Sequence, residues 1–153
     1  MLLLIFQSGN ERYGLDASHI VEVAPFANLK QVPHAPPGMA GLLNYRGSIV
    51  PVVDLSLILN DAPSRARLST RIVLVNVGGD GATPRILGFV AERVTETIMC
   101  REQDLQPPGM TPPQAPYLGK IMLDKNTMIQ RIDPVAVLPE ALKQTLFALA
   151  GSG

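Results

Sequence analysis

Tryptophan is absent from the chain, cysteine occurs once, histidine twice, and aromatic residues make up only 5% of the sequence. A single cysteine, Cys100, excludes an internal disulfide, and Cys100, His19 and His34 share no spacing that a zinc site would use. With so few aromatics, no stacking side chains interleave with the cluster of Arg65, Arg67 and Arg71, which removes the usual platform for single-stranded nucleic acid. Thirteen basic and thirteen acidic residues cancel to a formal charge of zero, so no net field attracts polyphosphate or an anionic membrane. Nucleic acid is therefore not an expected partner. Long apolar runs are missing as well: nothing approaches the roughly 18 residues of a spanning helix. The N-terminal "MLLLIFQ" lacks a basic flank and stops at Gln7 and Ser8, so it reads as a first strand and not as a signal peptide. A cytoplasmic protein without direct membrane insertion is the expectation.

What the chain does have is proline and glycine between short apolar runs. Its 153 residues, 46% hydrophobic and 17% charged, suit one globular domain or two small fused subdomains. "LLLIF" and "ERYGLD" flank Gly9 and Asn10, a pair suited to a tight hairpin. "HIVEVAPF" is a β-branched run closed by Pro25, and "NLKQVPHAPPGMA" is too rich in proline for helix or central strand, which predicts an ordered loop. "SIVPVVDL" predicts a strand in which Asp54 caps a short turn, "LSLILN". Residues 60–69, "NDAPSRARLS", read as a connection between subdomains at about 1–62 and 68–135. "TRIVLVNV" and "RILGFVAERVTETIM" form a hairpin across the turn "GGDG", and "QPPGMTPPQAP" forms a semi-rigid exposed loop. "YLGKIML", "DKN" and "TMIQRI" give a last hairpin, and Asp133 followed by Pro134 starts a C-terminal helix over 134–149 with a break at Pro139. About nine strands and one helix predict an all-β barrel protein.

Catalytic chemistry finds no foothold. Asp16 stands three residues before His19, yet no nucleophile is tied to them, so Asp16 reads as a cap and His19 as polar surface. "GGDGATPR" lacks the lysine and Ser/Thr of a phosphate loop. Arg65, Arg67 and Arg71 read as a solvated linker, Glu92, Arg93 and Glu96 as a solubilising sheet face, and the scattered methionines as core filler. No catalytic residue, cofactor or metal is expected.

Protein recognition is left, and "GLLNYRGSIVPVVDL" carries it. In "NYRGS", Gly47 can take the positive φ of a three-residue hairpin turn and so aims Arg46. Tyr45 and Arg46 are residue types enriched at binding hot spots. A corner arginine paired with a nearby carboxylate for purely structural reasons stands equal to the binding reading on physics alone.

The order "YGLD", "IVEV", "VPHAPPGMAGLLNYRGSIVPVVDL", "RIVLV", "LGFVAERV" and "YLGKIML" resembles the CheW family of coupling proteins over nearly the whole chain. The resemblance implies a fold of two packed five-stranded SH3-like β-barrels with a C-terminal helix, and a non-catalytic adaptor. It implies as partners the cytoplasmic tip of a methyl-accepting chemoreceptor and the regulatory domain of a CheA-type histidine kinase. By position, Ile20 and Glu22 match receptor-contact sites, Gly41 a functional glycine, and Arg46 the motif arginine. With no receiver or kinase domain following, the chain resembles the stand-alone adaptor. Glu22 and Arg46 are expected to pair beside the groove between the barrels, with Ile20 and Tyr45 offering apolar contact to a receptor helix. Two departures, Tyr45 in place of the family's usual leucine and the lack of an aspartate that is common near Ala91 in "GFVAERV", together with the proline-rich loop, point toward adaptors of the Wsp surface-sensing type. The alternative outside this family is a barrel that captures an unrelated peptide or ligand.

Overall fold

The computed structural model describes the backbone of residues 1–78 and 84–151 and the side chains of 1–78 and 84–146. Ten strands and two α-helices follow in the order β1 (Leu2–Ser8), β2 (Glu11–Asp16), β3 (Ile20–Pro25), β4 (Met39–Tyr45), β5 (Ser48–Asp54), α1 (Leu55–Asn60), β6 (Arg71–Asn76), β7 (Ile86–Met99), β8 (Leu105–Gln106), β9 (Leu118–Asp124), β10 (Thr127–Ile132) and α2 (Glu140–Gly151). They form the two small packed barrels expected. One contains β3, β4, β5, β6 and the first half of β7. The other contains β1, β2, the second half of β7, β9 and β10, with β8 paired to β9.

The barrels do not divide the chain at 1–62 and 68–135. The β1–β2 hairpin joins the C-terminal strands, and β7 serves both barrels. Ala91 is the last β7 residue paired with β6, and Glu92 the first paired with β1. Between these pairings and the next at Glu96, Arg93 takes φ +51, and the register shifts. A bulge of this kind bends a strand and lets it change sheets. Residues 60–69 therefore link α1 to β6 within one barrel.

Period-two alternation explains why the apolar runs are continuous. In β1, Leu3 and Ile5 point into the core of their own barrel, while Leu4 and Phe6 point into a larger core shared with the other. In β6, Ile72 and Leu74 fill the first barrel, and Val73 and Val75 face the shared core. Strands buried on both faces read as unbroken hydrophobic stretches. The shared core also takes Val137, Leu138 and Leu142, so the C-terminal segment seals the junction.

Local signals behave largely as expected. Gly9 has φ +61 in the two-residue turn between Ser8 and Glu11. Asp16 accepts from the Ser18 amide and Asp54 from the Ser56 amide, each capping the turn that follows. The C-terminal helix is shorter than 134–149. Asp133 caps a single turn through Val135 and Ala136, and α2 begins only at Glu140, because Pro139 has no amide to donate to Val135. The proline-rich loop is folded into turns, with the Ala115 amide donating to the Pro112 carbonyl. Beyond Gly78, the expected "GGDG" turn lies outside the described residues. Methionine is not simply core filler: Met122 is buried, whereas Met99, Met110 and Met128 are exposed.

Candidate protein-binding site

The β4–β5 hairpin closes with Tyr45 paired to Ser48, leaving Arg46 and Gly47 as a two-residue loop in place of the three-residue turn expected. Arg46 has φ +52 and Gly47 φ +87, the pair of left-handed conformations that a type I′ turn demands. Asn44 stabilises it by accepting the Gly47 amide at 2.9 Å. The arginine itself, and not only the glycine, thus occupies a region that costs a non-glycine residue about 1–2 kcal/mol. A Cβ built on Gly47 would meet nothing within 4 Å, so the glycine is required by conformation and not by space.

From this corner Arg46 turns back onto its neighbours. Its Nη2 donates to Glu22 Oε1 at 2.8 Å, and the Tyr45 hydroxyl donates to the same oxygen at 3.2 Å. The guanidinium carbon lies 5.2 Å from the centre of the Tyr45 ring. Glu22 comes from β3, which among the described residues pairs with β6 alone, so the cluster bridges from β3 to the β4–β5 hairpin where no backbone ladder among those residues joins them. Tyr45 is half-buried against the first barrel's core, so its ring supports the cation from below. Its polar end is engaged as well, which a purely apolar role did not foresee.

Strength and placement differ here. The Arg46 side chain is 75% exposed and that of Glu22 36%, and exposed pairs contribute no more than about 1 kcal/mol. The cation over the ring adds roughly 0.5–1 kcal/mol. Together these are comparable with the cost of the left-handed turn. The cluster fixes charged groups in space without adding much to stability.

Ile20 and Gly41 stand apart from it. Ile20 is half-buried and packs on the shared core; the exposed apolar residues of β3 are Val21 and Val23. Sequence alternation alone does not reveal this, because every position of "IVEVA" except Glu22 is apolar. Gly41 is buried in β4 at φ +149, beside a register shift, where residues 29–30 cross it. Lys30 and Leu42 exchange two backbone hydrogen bonds there, at 2.8 and 2.9 Å. A Cβ on Gly41 would lie 2.7 Å from the Lys30 carbonyl oxygen and 2.9 Å from the Leu29 Cβ. That close approach is what the glycine permits.

Elsewhere the titratable groups serve structure. Burial raises the Asp16 carboxyl, but the Ser18 amide and hydroxyl, with Arg131 and His19, outweigh it and hold the group below its ordinary range. Burial, reinforced by Asp104, pushes the Cys100 thiol up, which disfavours the nucleophilic thiolate. Among the described residues no cluster of three or more His, Cys, Asp or Glu side chains could hold a metal ion. Likewise, no helix among them is long and apolar enough to cross a membrane.

A model of the CheW-like domain matches residues 2–142. The chain belongs to the CheW-like domain family. The chemotaxis protein CheW of Klebsiella aerogenes is 27% identical over 104 residues, covering 68% of this chain and 60% of that protein. The chain thus spans about three fifths of that relative's length. CheW of Bacillus subtilis is 21% identical over 145 residues, 94% of this chain and 90% of that one. Protein FrzA of Myxococcus xanthus is 29% identical over 105 residues, 69% and 62% of the two chains. The crystal structure of the scaffolding protein TtCheW from Thermoanaerobacter tengcongensis superposes with a TM-score of 0.76 at 24% identity, covering 92% of this chain and 89% of that one. This CheW-like chain therefore shares the twin-barrel fold with a scaffolding protein.

Proposed function

We propose that this CheW-like protein is a non-catalytic adaptor of chemosensory signalling, coupling a chemoreceptor's cytoplasmic tip to the regulatory domain of a CheA-type histidine kinase. Its relatives are named chemotaxis proteins, and its structural neighbour a scaffolding protein. The observation that carries the reading is the Glu22–Tyr45–Arg46 cluster, fixed in geometry, in which Glu22 and Arg46 stand where the resemblance places a receptor contact and the motif arginine, and Tyr45 departs from the family's usual leucine. A preset charged corner with half-buried Ile20 and exposed Val21 and Val23 on the same strand suits an amphipathic receptor helix.

Arg46→Glu sets two carboxylates together and is expected to weaken capture of a purified receptor tip while the thermal melt stays cooperative. Arg46→Gly relaxes the turn and removes the cation, so it should match the wild type in stability and still bind weakly. Normal capture by both folded variants would sink the assignment. Co-elution with a kinase regulatory domain separates an adaptor from a barrel that captures an unrelated peptide. For the pathway, the narrower reading of a Wsp-type surface-sensing adaptor rests on Tyr45, since Ala91 is 1% exposed in the shared core and out of a partner's reach. Preference for a surface-sensing receptor tip over a swimming-chemotaxis tip, reversed by Tyr45→Leu, is the result expected of it.

A further inference from the structure

The loop between α1 and β6 is neither a linker nor slack. The Arg65 amide donates to Glu92, the Thr70 hydroxyl to the Arg65 carbonyl, and the Val94 amide to the Ser69 carbonyl at 2.9 Å. The Thr70 amide returns to the Arg67 carbonyl at 3.0 Å, which closes a tight turn. On this anchored turn Leu68 is 93% exposed, the most exposed large apolar side chain among the described residues. Arg65, Arg67 and the adjoining bulge residue Arg93 are exposed, and among the described residues none of the three makes an ion pair. Arg71 folds under the tip, donating to the Leu68 and Thr70 carbonyls.

Beside the turn lies a cavity of about 520 Å³ whose wall includes Phe26, Leu29, Leu57, Pro63 and Ser64. Its one carboxylate, Asp54, is already engaged by the Ser56 amide and by the amide and hydroxyl of Ser64. Asp61, the nearest acid upstream, lines a different cavity. In a chain of zero net charge, Arg65, Arg67, Arg71 and Arg93 thus lie on one anchored turn and its adjoining bulge, where the two nearby carboxylates, Glu92 and Asp54, already accept hydrogen bonds from the loop, around an exposed leucine and next to a recess of mixed lining that includes Phe26 and Leu29.

We propose that the Arg65–Thr70 turn, Arg93 and the neighbouring cavity form a docking surface for an acidic amphipathic segment of a partner protein. Carboxylates of that segment meet Arg65, Arg67 and Arg93, and an apolar side chain enters the recess beside Phe26. Charge complementarity sets the sign of the partner, and the recess with Leu68 requires apolar groups spaced among the acids, which a nucleic acid backbone lacks. This surface is distinct from the Glu22–Tyr45–Arg46 corner and does not depend on the adaptor reading.

The test is fluorescence anisotropy with a short labelled peptide of leucines spaced among glutamates, against the intact protein. Saturable binding is expected, weakened about tenfold by Arg65→Glu with Arg67→Glu and several-fold by Leu68→Ser. The charge-matched pair Lys120→Glu with Lys125→Glu should leave it unchanged. On the wild type, peptide-induced amide shifts confined to the recess wall at residues 26–29 and 57 and to residues 63–70 and 93 provide a readout that needs no variant. Absence of saturable binding, equal loss in the lysine pair, or shifts elsewhere would overturn the proposal. So would tighter binding, lost in the same arginine variants, to phosphatidylserine vesicles or single-stranded DNA.

Discussion

Replacing Gly41 with alanine separates two meanings of a glycine in the recognition motif. The new methyl would lie 2.7 Å from the Lys30 carbonyl oxygen and 2.9 Å from the Leu29 Cβ, both closer than van der Waals contact allows, at a φ of +149 that alanine rarely adopts. Relief requires the 29–30 segment to move off β4, and that breaks the two Lys30–Leu42 hydrogen bonds. Each contributes roughly 1 kcal/mol, and backbone strain at such a position adds about 1–3 kcal/mol. A loss of about 3–5 kcal/mol follows, or a fall in melting temperature of roughly 6–20 °C for a chain of this size. Urea denaturation of the wild type and Gly41→Ala, with receptor capture measured well below both transitions, provides the comparison. If stability is unchanged while binding disappears, Gly41 acts at the partner surface and the packing argument is wrong. If stability falls as stated and the remaining folded protein binds normally, the glycine's role lies in the barrel wall.

Two further perturbations probe the frame. Asp54→Ala removes a 6% exposed carboxylate that caps α1 and holds Ser64 through both its amide and its hydroxyl; a lost cap at about 1 kcal/mol and two bonds to a charged acceptor at about 1.5 kcal/mol each predict a loss of about 4 kcal/mol in urea. A loss below about 1 kcal/mol would show that the 61–69 loop is not anchored through Asp54. Because the Asp16 carboxyl is held below its ordinary value, its contribution is complete above the unfolded-state pKa near 3.9 and disappears as pH falls through the lower folded value. Asp16→Asn should therefore flatten the acid limb of a stability profile below about pH 4.5; an acid limb identical to wild type would refute the assignment.

The strands, the first hairpin and both aspartate caps were legible because each rests on local chemistry: Gly9 in a turn, an aspartate before a short helical run, period-two alternation. The pairing of Glu22 with Arg46 was legible only through the family resemblance, since a corner arginine among thirteen acidic residues does not by itself name its partner. What stayed hidden is non-local. Nothing in "ERVTE" announces that Arg93 turns left-handed and carries β7 from one barrel into the other. The β1–β2 hairpin accordingly joins strands more than a hundred residues away, a choice made by burying Leu3 and Leu4 on opposite faces. The arginines of 65–71 looked like solvated linker because their composition is that of one; the hydrogen bonds of the loop to Asp54, Glu92 and Val94 show it to be fixed.

The hairpin between β9 and β10 supplies an internal control for the corner at Arg46. Asp124 pairs with Thr127 across Lys125 and Asn126, whose φ angles of +49 and +68 repeat the same left-handed turn with a cation again in first place. A basic residue in that position is thus compatible with the turn in this fold and does not by itself signify binding. The surroundings distinguish the two. Lys125 makes no ion pair among the described residues, whereas Arg46 lies against the Tyr45 ring and reaches the Glu22 carboxylate from a separate strand. The turn chooses the direction in which a side chain leaves the barrel, and only where β3 passes with an acid does that direction become a fixed charge pattern. The fixed charge pattern at this corner is therefore a property of Glu22, Tyr45 and Arg46 jointly, and transferring the tyrosine and glutamate next to Lys125 would be needed to reproduce it there.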